Sequence, residues 1–304
     1  GGLGLVNVIS SMLFGGISGS SVSDTASIGS ILIPEMKKRG YPEDYAAGLT
    51  VASSTMGMII PPSIPMVLYA VTAQESVGRL FLGGVFPGII VGLLQLCITI
   101  WISNKNSYPR EDGSVSIKKI LKMTAKNSYI LFMPFFVVGS VILGVATATE
   151  SAALGVFYAL IIGVFLIKSL QLKRIYRALK SSVLTSAKIM IIIAFSKIFI
   201  WVLAYERIPD QLSESVSALG LSSTSMLLLF VIIILISGTF IDVSPAILLF
   251  TPVFLPSIVE VGISPILFGV VLVVGLAVGA CTPPVGNCLN VCAIITGLSI
   301  GKIF

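Results

Sequence analysis

Long apolar runs alternate with short polar or basic segments along this chain. Residues 81–102, 128–149 and 265–281 carry no charged side chain. Each run is long enough to cross a hydrocarbon layer of about 30 Å as an α-helix rising about 1.5 Å per residue. The alternating segments of roughly ten residues that are typical of a membrane β-barrel do not occur. The pattern therefore predicts an all-α, polytopic membrane protein.

Two breaks interrupt the apolar pattern near the start of the chain. The first reads GGISGSSVSDT at residues 15–25, between apolar arms (3–14 and 26–36) that are too short to span a bilayer. It predicts a re-entrant hairpin, and a small-residue helix-packing motif is the alternative. The second break contains Pro61-Pro62. Because a proline inside a helix costs about 3 kcal/mol, the pair predicts an unwound segment between two half-helices, with a simple proline kink as the alternative.

A second copy of both breaks follows later in the chain. It has a polar tip, SGTFIDVS, at residues 237–244 and another Pro-Pro pair at 283–284. An offset of 222 residues aligns the two copies, pairing Gly16 with Gly238, Pro34 with Pro256, Gly40 with Gly262, Gly57 with Gly279 and Pro61-Pro62 with Pro283-Pro284. Shared hydrophobicity alone does not place glycines and prolines at matching positions. The chain is therefore predicted to contain an internal repeat.

The positive charges indicate how the two copies are oriented. The 304 residues are 56% hydrophobic and 11% charged, and the net charge of +6 comes mainly from clusters of Lys and Arg at 37–39, 105–126 and 168–188. Clusters between spans follow the positive-inside rule, so all three are predicted to be cytoplasmic rather than to bind nucleic acid. Residues 226–264 contain no Lys or Arg, and five crossings precede them. The predicted fold is therefore an inverted repeat with two re-entrant hairpins and two broken helices.

Composition argues against an enzyme. The chain has no histidine, and its four cysteines form no CxxC pair. Ordinary His-ligated metal sites and His-based acid–base catalysis are therefore not expected. Glu150 lies at a tight turn between two predicted spans and is interpreted as a solvated or capping acid. Lys197 lies within a predicted span, where it can snorkel, pair with an acid or face a cavity.

Inverted repeats with discontinuous helices are typical of secondary transporters, whose binding sites lie between the repeats near the membrane midplane. Unwound backbone exposes carbonyl oxygens that, with Ser, Thr and Asp oxygens, can replace the hydration shell of Na⁺. One Na⁺ site is predicted between the first tip and the first break, at Ser18, Gly19, Ser20, Gly57, Ile60 and Pro61. Its counterpart is predicted at Gly238, Thr239, Asp242, Gly279, Thr282 and Pro283. The offset places Asp242 opposite Ser20, and a neutral, protonated Asp242 is the alternative to a cation ligand.

Several motifs resemble those of the large membrane subunit of tripartite ATP-independent periplasmic (TRAP) transporters. They are FGGISGSSVSD, ILIPEMKKRGY, ASSTMGMIIPPSIPMVLY, TATESAALG and ACTPPVGN, and the resemblance covers essentially the whole chain. It implies an elevator-type importer of small organic carboxylates in the bacterial inner membrane, coupled to two or more Na⁺ ions and without an organic cofactor. The family's subunit is longer, so spans before residue 1 and after residue 304 are expected to be missing here.

The resemblance also implies partners and a division into domains. The expected partners are a small membrane subunit, a periplasmic substrate-binding protein and the lipid bilayer. Residues 1–103 and 222–304 are expected to form the two halves of a mobile transport domain, and residues 104–221 a static scaffold.

Individual site residues follow from the same resemblance. The family's serine-rich tip falls on Ser18 and Ser20, and its second-site acid falls on Asp242. Gly15 stands where some members have a serine, so one sodium-ligating hydroxyl is expected to be absent. Substrate contacts are expected from residues that face the same midplane region, namely Ser21, Asp24, Ser63, Asn287 and Asn290.

Two other interpretations of the function are open. Proton coupling would rest on titration of Glu150 or Asp242. An ion or solute channel also uses broken helices and pore carbonyls, and it would give flux that is not coupled to a second ion. The substrate is open as well, since sialic acid, a C4-dicarboxylate and a sugar acid all fit the resemblance.

Overall fold

A computed structural model describes residues 1–109, 117–168, 170–218, 220 and 222–304, without the side chains of 117–121, 213 and 215–218. The first six helices are α1 (Gly2–Ser18), α2 (Ser21–Lys38), α3 (Glu43–Ser54), α4 (Met56–Ile59), α5 (Ile64–Ala73) and α6 (Val77–Lys105). The next five are α7 (Ile117–Lys126), α8 (Ser128–Ile142), α9 (Ala148–Ile161), α10 (Leu172–Tyr205) and α11 (Ile208–Ala218), and α9 continues as a π-helical segment over Ile162–Leu166. The last five are α12 (Ser223–Gly238), α13 (Val243–Glu260), α14 (Pro265–Gly279), α15 (Asn287–Thr296) and α16 (Ile300–Ile303).

The predicted all-α class is confirmed, since the described residues contain no β-strand. Within this part of the chain, five helical stretches are long and apolar enough to cross a membrane. They are Glu43–Ala73, Val77–Lys105, Ala148–Leu166, Leu172–Tyr205 and Val243–Glu260. This number agrees with a polytopic membrane protein.

The helices form two compact units. One comprises Gly1–Glu111 with Val202–Phe304, and the other comprises Asp112–Trp201. Both predicted tips and both predicted breaks lie in the first unit. The predicted division into transport domain and scaffold concerns motion, and it stays a prediction.

The two tips are shorter than the polar stretches in the sequence. The chain leaves the helical conformation only at residues 19–20 between α1 and α2 and at residues 239–242 between α12 and α13, and these two segments are called the first tip and the second tip. Gly19 ends α1 in the left-handed conformation, with φ of 64°, and Ser20 caps α2. The serines and threonines predicted as loop are mostly helical because hydroxyls such as that of Thr25, which donates to the Ser21 carbonyl at 2.9 Å, bond to the helix itself.

The two Pro-Pro pairs interrupt helices as predicted. Residues 60–63, the first break, separate α4 from α5, and residues 280–286, the second break, separate α14 from α15. Both Pro-Pro peptide bonds are cis. Proline removes an amide donor and clashes with the preceding turn, so the helix restarts only beyond each pair.

Small residues hold the first helix pair in place. Asn7 of α1 donates to the Thr50 hydroxyl of α3 at 2.7 Å, and Ser11 bonds Ser53 at 2.8 Å. On α6, glycines recur every fourth residue, and Gly88 lies so close to Ile60 that an added Cβ would be 2.7 Å from its side chain. Close approach through small residues and buried hydroxyls is the usual way in which helices associate inside membranes.

Aromatic packing holds the second helix pair. Phe230 of α12 is completely buried, and its ring centre lies 4.7 Å from that of Phe254 on α13 and 6.2 Å from that of Phe268 on α14. At the far end from the tip, Ser223 at the start of α12 donates to the Val261 carbonyl just after α13, at 2.9 Å. The two ends of this helix pair therefore lie together.

The unit comprising Asp112–Trp201 contains the connection between α8 and α9. Thr147 caps α9, and Glu150 accepts the Thr147 amide and hydroxyl at 2.8 Å each. The interpretation of Glu150 as a capping acid is confirmed. The helix α10 begins at Leu172, so it contains most of the basic segment at 168–188 as well as the apolar run that follows, because basic residues are themselves compatible with a helix.

Candidate functional site

The first tip contacts the first break through backbone atoms. The amide of Ile64, the first residue of α5 directly after the break, donates to the carbonyl of Gly19 at 3.2 Å. A Cβ on Gly19 would lie 2.9 Å from the Pro62 carbonyl oxygen, so only glycine allows this approach. The first tip and the first break together are called the first junction.

A buried carboxylate lies in the first junction. Asp24 stands one turn into α2 and is completely buried. Its Oδ1 accepts the Ser18 hydroxyl at 2.5 Å, whereas its Oδ2 has no hydrogen-bond partner among the described residues. A Cβ added to Gly57 would be 2.5 Å from Oδ2, so the carboxylate lies directly over the glycine.

The other residues predicted for the first site also lie at this junction. Ser20 caps α2, and Ile60 ends α4 beside Pro61. Ser63 caps α5: its hydroxyl donates to the Met58 carbonyl at 2.5 Å and accepts the Met66 amide at 3.3 Å. This hydroxyl is therefore occupied by the backbone of the break.

The second junction, formed by the second tip and the second break, has a similar backbone contact, although the offset of 222 residues does not align the two pairs of residues. The amide of Val285 donates to the carbonyl of Thr239 at 3.2 Å. Gly238 and Gly279 are in direct contact, since a Cβ on Gly279 would lie 2.5–2.7 Å from the Gly238 backbone. As in the first junction, a tip carbonyl accepts an amide close behind a Pro-Pro pair; the donor is the first residue after the pair here and the second residue after it in the first junction.

The acid of the second junction is exposed. Asp242 stands at the N-cap position of α13, which is the position that Ser20 occupies on α2, as the offset of 222 residues predicts. Unlike Ser20, its side chain makes no capping hydrogen bond. Its Oδ1 accepts the Asn287 side-chain amide at 2.6 Å. The hydroxyl of Thr282 donates to a carbonyl of its own helix segment, and Asn290 donates to the Val285 carbonyl at 2.6 Å.

The residues predicted as substrate contacts are thus distributed over several roles. Ser21 is buried and accepts the Cys288 thiol at 3.1 Å. Ser63 and Asn290 stabilise backbone in the two breaks, Asn287 holds Asp242, and Asp24 joins Ser18 in the first junction. The placement of Asp24 beside Gly57 was not predicted. The sequence does contain a signal for its position near the tip, because an acid in the first turn after a serine cap is a common pattern at the start of a helix.

Both junctions offer oxygen ligands. Carboxylate, hydroxyl and backbone carbonyl oxygens are the donors that hard cations prefer. The described residues contain no group of three or more His, Cys, Asp or Glu side chains that could hold a metal ion, so a soft-metal centre has no support there. The buried, unpartnered Oδ2 of Asp24 fits a cation or a proton, because an uncompensated carboxylate at this depth is costly.

Known proteins resemble the chain over its whole length. A family model described as "Tripartite ATP-independent periplasmic transporter, DctM component" matches residues 1–304. The C4-dicarboxylate TRAP transporter large permease protein DctM of Pseudomonas aeruginosa is 36% identical over 301 residues, covering 99% of this chain and 70% of that protein. The sialic acid TRAP transporter large permease protein SiaM of Vibrio cholerae is 34% identical over 295 residues, covering 96% and 68%.

A third relative is considerably longer. The isethionate TRAP transporter permease protein DctMQ of Oleidesulfovibrio alaskensis is 35% identical over 303 residues, covering 100% of this chain and 48% of that protein. The chain therefore spans about half the length of this relative and somewhat more than two thirds of the other two.

Proposed function

This chain belongs to the DctM component family of the tripartite ATP-independent periplasmic transporters, a family of transporter permeases and not of enzymes, and on that premise we propose that it belongs to a Na⁺-coupled importer of small organic carboxylates. The observation that carries the proposal is the recurrence of one kind of contact. In both junctions, a tip carbonyl accepts an amide one or two residues after a cis Pro-Pro pair.

The proposed architecture is an inverted repeat in which each helix pair is a re-entrant hairpin. Equivalent packing supports it: α15, which follows the second break, packs on α2, and α5, which follows the first break, packs on α13. The contact between Ser223 and Val261 supports a hairpin with both ends on one side. Length does not decide this point, since the 18 residues of α13 also suffice to cross a bilayer.

Cysteine labelling tests this architecture. In a background without native cysteines, cysteines at Ser222 and Gly262 are expected to react with an impermeant maleimide from the periplasmic side. Cysteines at Lys38 and Lys105 are expected to react only after the membrane is opened. Labelling of Ser222 and Gly262 from opposite sides would refute the second re-entrant hairpin.

We assign one proposed Na⁺ site to each junction. The first uses Ser18, Gly19, Ser20, Gly57, Ile60 and Pro61, and the geometry adds Asp24 to this set. The second uses Gly238, Thr239, Asp242, Gly279, Thr282 and Pro283. The buried Oδ2 of Asp24 supports the first site, and the alignment of two helix caps, Ser20 and Asp242, supports the equivalence of the two.

The substrate is proposed to bind between the two junctions. Helix N-termini at α2, α5, α13 and α15 converge on the tips and breaks, and such termini favour anions. Ser21, Ser63, Asn287 and Asn290 are the proposed neighbours of the substrate. The names of the relatives mention different organic anions, which supports an organic anion as the class of substrate. The individual substrate is to be identified by a ligand screen.

The proposed setting is the bacterial inner membrane, with the basic clusters at 37–39, 105–126 and 168–188 in the cytoplasm. A small membrane subunit and a periplasmic binding protein are the proposed partners. Residues 1–103 and 222–304 would move as a transport domain against a scaffold formed by residues 104–221. Family membership supports these partners.

Uptake by the full transporter in liposomes tests the function. The binding protein encoded with it is first screened by thermal shift against sialic acid, C4-dicarboxylates, sugar acids and isethionate. Uptake of the selected ligand is then measured with an inward Na⁺ gradient, with an inward proton gradient and with neither. Uptake driven by the Na⁺ gradient is expected. Substrate flux that depends on neither the Na⁺ gradient nor the proton gradient would indicate a channel.

Proton coupling is the second candidate, and one observation favours it. A completely buried carboxylate with one unpartnered oxygen, as in Asp24, can also be neutralised by a proton. Glu150, by contrast, is engaged in capping α9. Uptake driven by the proton gradient and indifferent to Na⁺ would replace the first proposal with this one.

A further inference from the structure

A hydrogen bond between two side chains joins the helix that follows the first tip to the helix that follows the second break. Ser21 follows directly on the first tip and begins α2, and Cys288 lies in the first turn of α15 directly after the second break. The Cys288 thiol donates to the Ser21 hydroxyl at 3.1 Å, and both residues are buried. The contact joins residues that are 267 positions apart in the chain.

Cys288 is also tied to the rest of the second junction. Its amide donates to the carbonyl of Ala280, at the start of the second break, at 3.2 Å. Its neighbour Asn287 donates to Asp242 at the second tip. Cys288 therefore shares its backbone with the second junction and its side chain with the first.

The surroundings of this pair are polar and closely packed. Thr25 of α2 donates to the Ser54 hydroxyl of α3 at 2.8 Å, and the Cys281 thiol of the second break donates to the Val51 carbonyl at 3.2 Å. Both junctions are thus also tied to α3, and a displacement at the start of α2 or of α15 disturbs the Ser21–Cys288 hydrogen bond between them. Closely packed protein interiors transmit such displacements.

We infer that the Ser21–Cys288 contact couples the two junctions, so that a cation bound at one raises the affinity for a cation at the other. This inference rests on the proposed Na⁺ sites. Cys288 is a positioning residue in it, because its thiol touches neither proposed site directly. Coupling of this kind is reciprocal, so each site must change the affinity of the other by the same factor.

The test measures Na⁺-dependent thermal stabilisation of the complete large subunit with its small subunit in detergent, which requires no substrate. The wild type is expected to give a cooperative Na⁺ titration. Cys288→Ala removes the donor and is expected to lower the coupling about fivefold, as suits one neutral hydrogen bond, while stabilisation at saturating Na⁺ is retained. Cys288→Ser keeps a donor and is expected to retain the cooperativity.

Cys292→Ala is the matched control. Cys292 lies one turn further along α15 and is equally buried, but its thiol is 3.7 Å from the Ala47 carbonyl and does not reach the first tip. It loses the same side-chain volume as Cys288→Ala. Its Na⁺ titration is expected to remain as cooperative as that of the wild type.

Reciprocity gives a second readout. Affinity at the first junction is measured with Asp242→Asn, and affinity at the second junction with Asp24→Asn. In either background, Cys288→Ala is expected to have no further effect at Na⁺ concentrations that leave the weakened site empty, because only one of the coupled sites is then occupied.

Three outcomes overturn the inference while leaving the proposed function intact: unchanged cooperativity in Cys288→Ala, an equal loss in Cys292→Ala, or a non-cooperative wild type that still responds to Na⁺. A wild type that does not respond to Na⁺ at all overturns the proposed Na⁺ coupling and this inference with it. The two failures are therefore distinguishable in one set of titrations.

Discussion

At the first junction the carboxylate, Asp24, is completely buried one turn into α2, whereas at the second junction Asp242 stands at the N-cap position of α13 and is exposed. In both junctions, a tip carbonyl accepts an amide one or two residues after a Pro-Pro pair. Burial removes water from around the Asp24 carboxylate, so a cation next to it gains a large electrostatic interaction energy. At Asp242 the same interaction is much weaker, because solvent screens the exposed carboxylate. For the proposed Na⁺ sites, this difference predicts that an ion stabilises the first junction more than the second, and that the second exchanges its ion more easily.

The glycines beneath the two tips offer the largest expected effect. In Gly279→Ala, the new Cβ would meet backbone atoms of Gly238 at 2.5–2.7 Å, and these cannot move without displacing the second tip. In Gly57→Ala, it would meet the Asp24 carboxylate, a side chain that can shift. Overpacking costs about 1–3 kcal/mol and sometimes more. We expect Gly279→Ala to yield little monodisperse protein by size-exclusion chromatography, and Gly57→Ala to yield protein of lowered Tm.

Gly301→Ala serves as the control for both, because nothing lies within 4 Å of its added Cβ. It is expected to match the wild type in yield and Tm. Equal yields from Gly57→Ala and Gly279→Ala would contradict the difference between the two junctions.

The second largest difference between the junctions is expected when each acid is replaced by its amide. Asp24→Asn removes a buried, partly unpartnered charge, so it is expected to raise the Tm without Na⁺ and to weaken Na⁺ binding about a hundredfold. Asp242→Asn is expected to leave the Tm without Na⁺ nearly unchanged and to weaken Na⁺ binding about tenfold, because solvent already screens that charge. Thermal-shift titrations with NaCl, balanced by choline chloride, measure both effects. A larger loss of affinity in Asp242→Asn than in Asp24→Asn would reverse the comparison.

The next prediction concerns the hydrogen bond between Asn287 and Asp242 in the second junction. Its amide donates to Asp242 at 2.6 Å, so Asn287→Ala leaves the carboxylate without this orienting partner. We expect Na⁺ affinity to fall about threefold to tenfold, the range of one hydrogen bond to a charged group at an exposed position. Asn290→Ala is the control, since Asn290 bonds to the Val285 carbonyl and not to Asp242. If the two variants titrate alike, Asn287 does not act through Asp242.

The smallest expected effect concerns the packing behind the first junction. Asn7 bonds Thr50 and accepts the Ser53 hydroxyl at 3.1 Å, whereas the second helix pair is packed by Phe230 and its aromatic neighbours. Asn7→Ala is expected to cost about 1 kcal/mol, as measured for hydrogen bonds between membrane helices. Unfolding in a graded mixture of denaturing and mild detergents measures this cost. A cost as large as that of Phe230→Ala would show that the two pairs are held equally by polar contacts.

Several features of the fold follow from local sequence. Two prolines in succession end a helix wherever they stand, so both breaks were predictable from Pro61-Pro62 and Pro283-Pro284. The capping role of Glu150 was equally local, because its partner Thr147 is three residues away. The tips were placed correctly but predicted too long, because hydroxyl-rich segments such as residues 21–25 are polar and still helical.

The sequence by itself determined that this protein is helical, that it belongs in a membrane and where its helices break, because these properties depend on neighbouring residues and on the hydrophobicity of whole segments. Only the tertiary structure decided which oxygens share a site: that Asp24 lies over Gly57, that Asn287 holds Asp242 and that Ser21 meets Cys288. Those contacts join residues between 33 and 267 positions apart. They arise from the packing of helix pairs on broken helices. The pattern of hydrophobic and polar residues along the chain does not specify which helices contact each other.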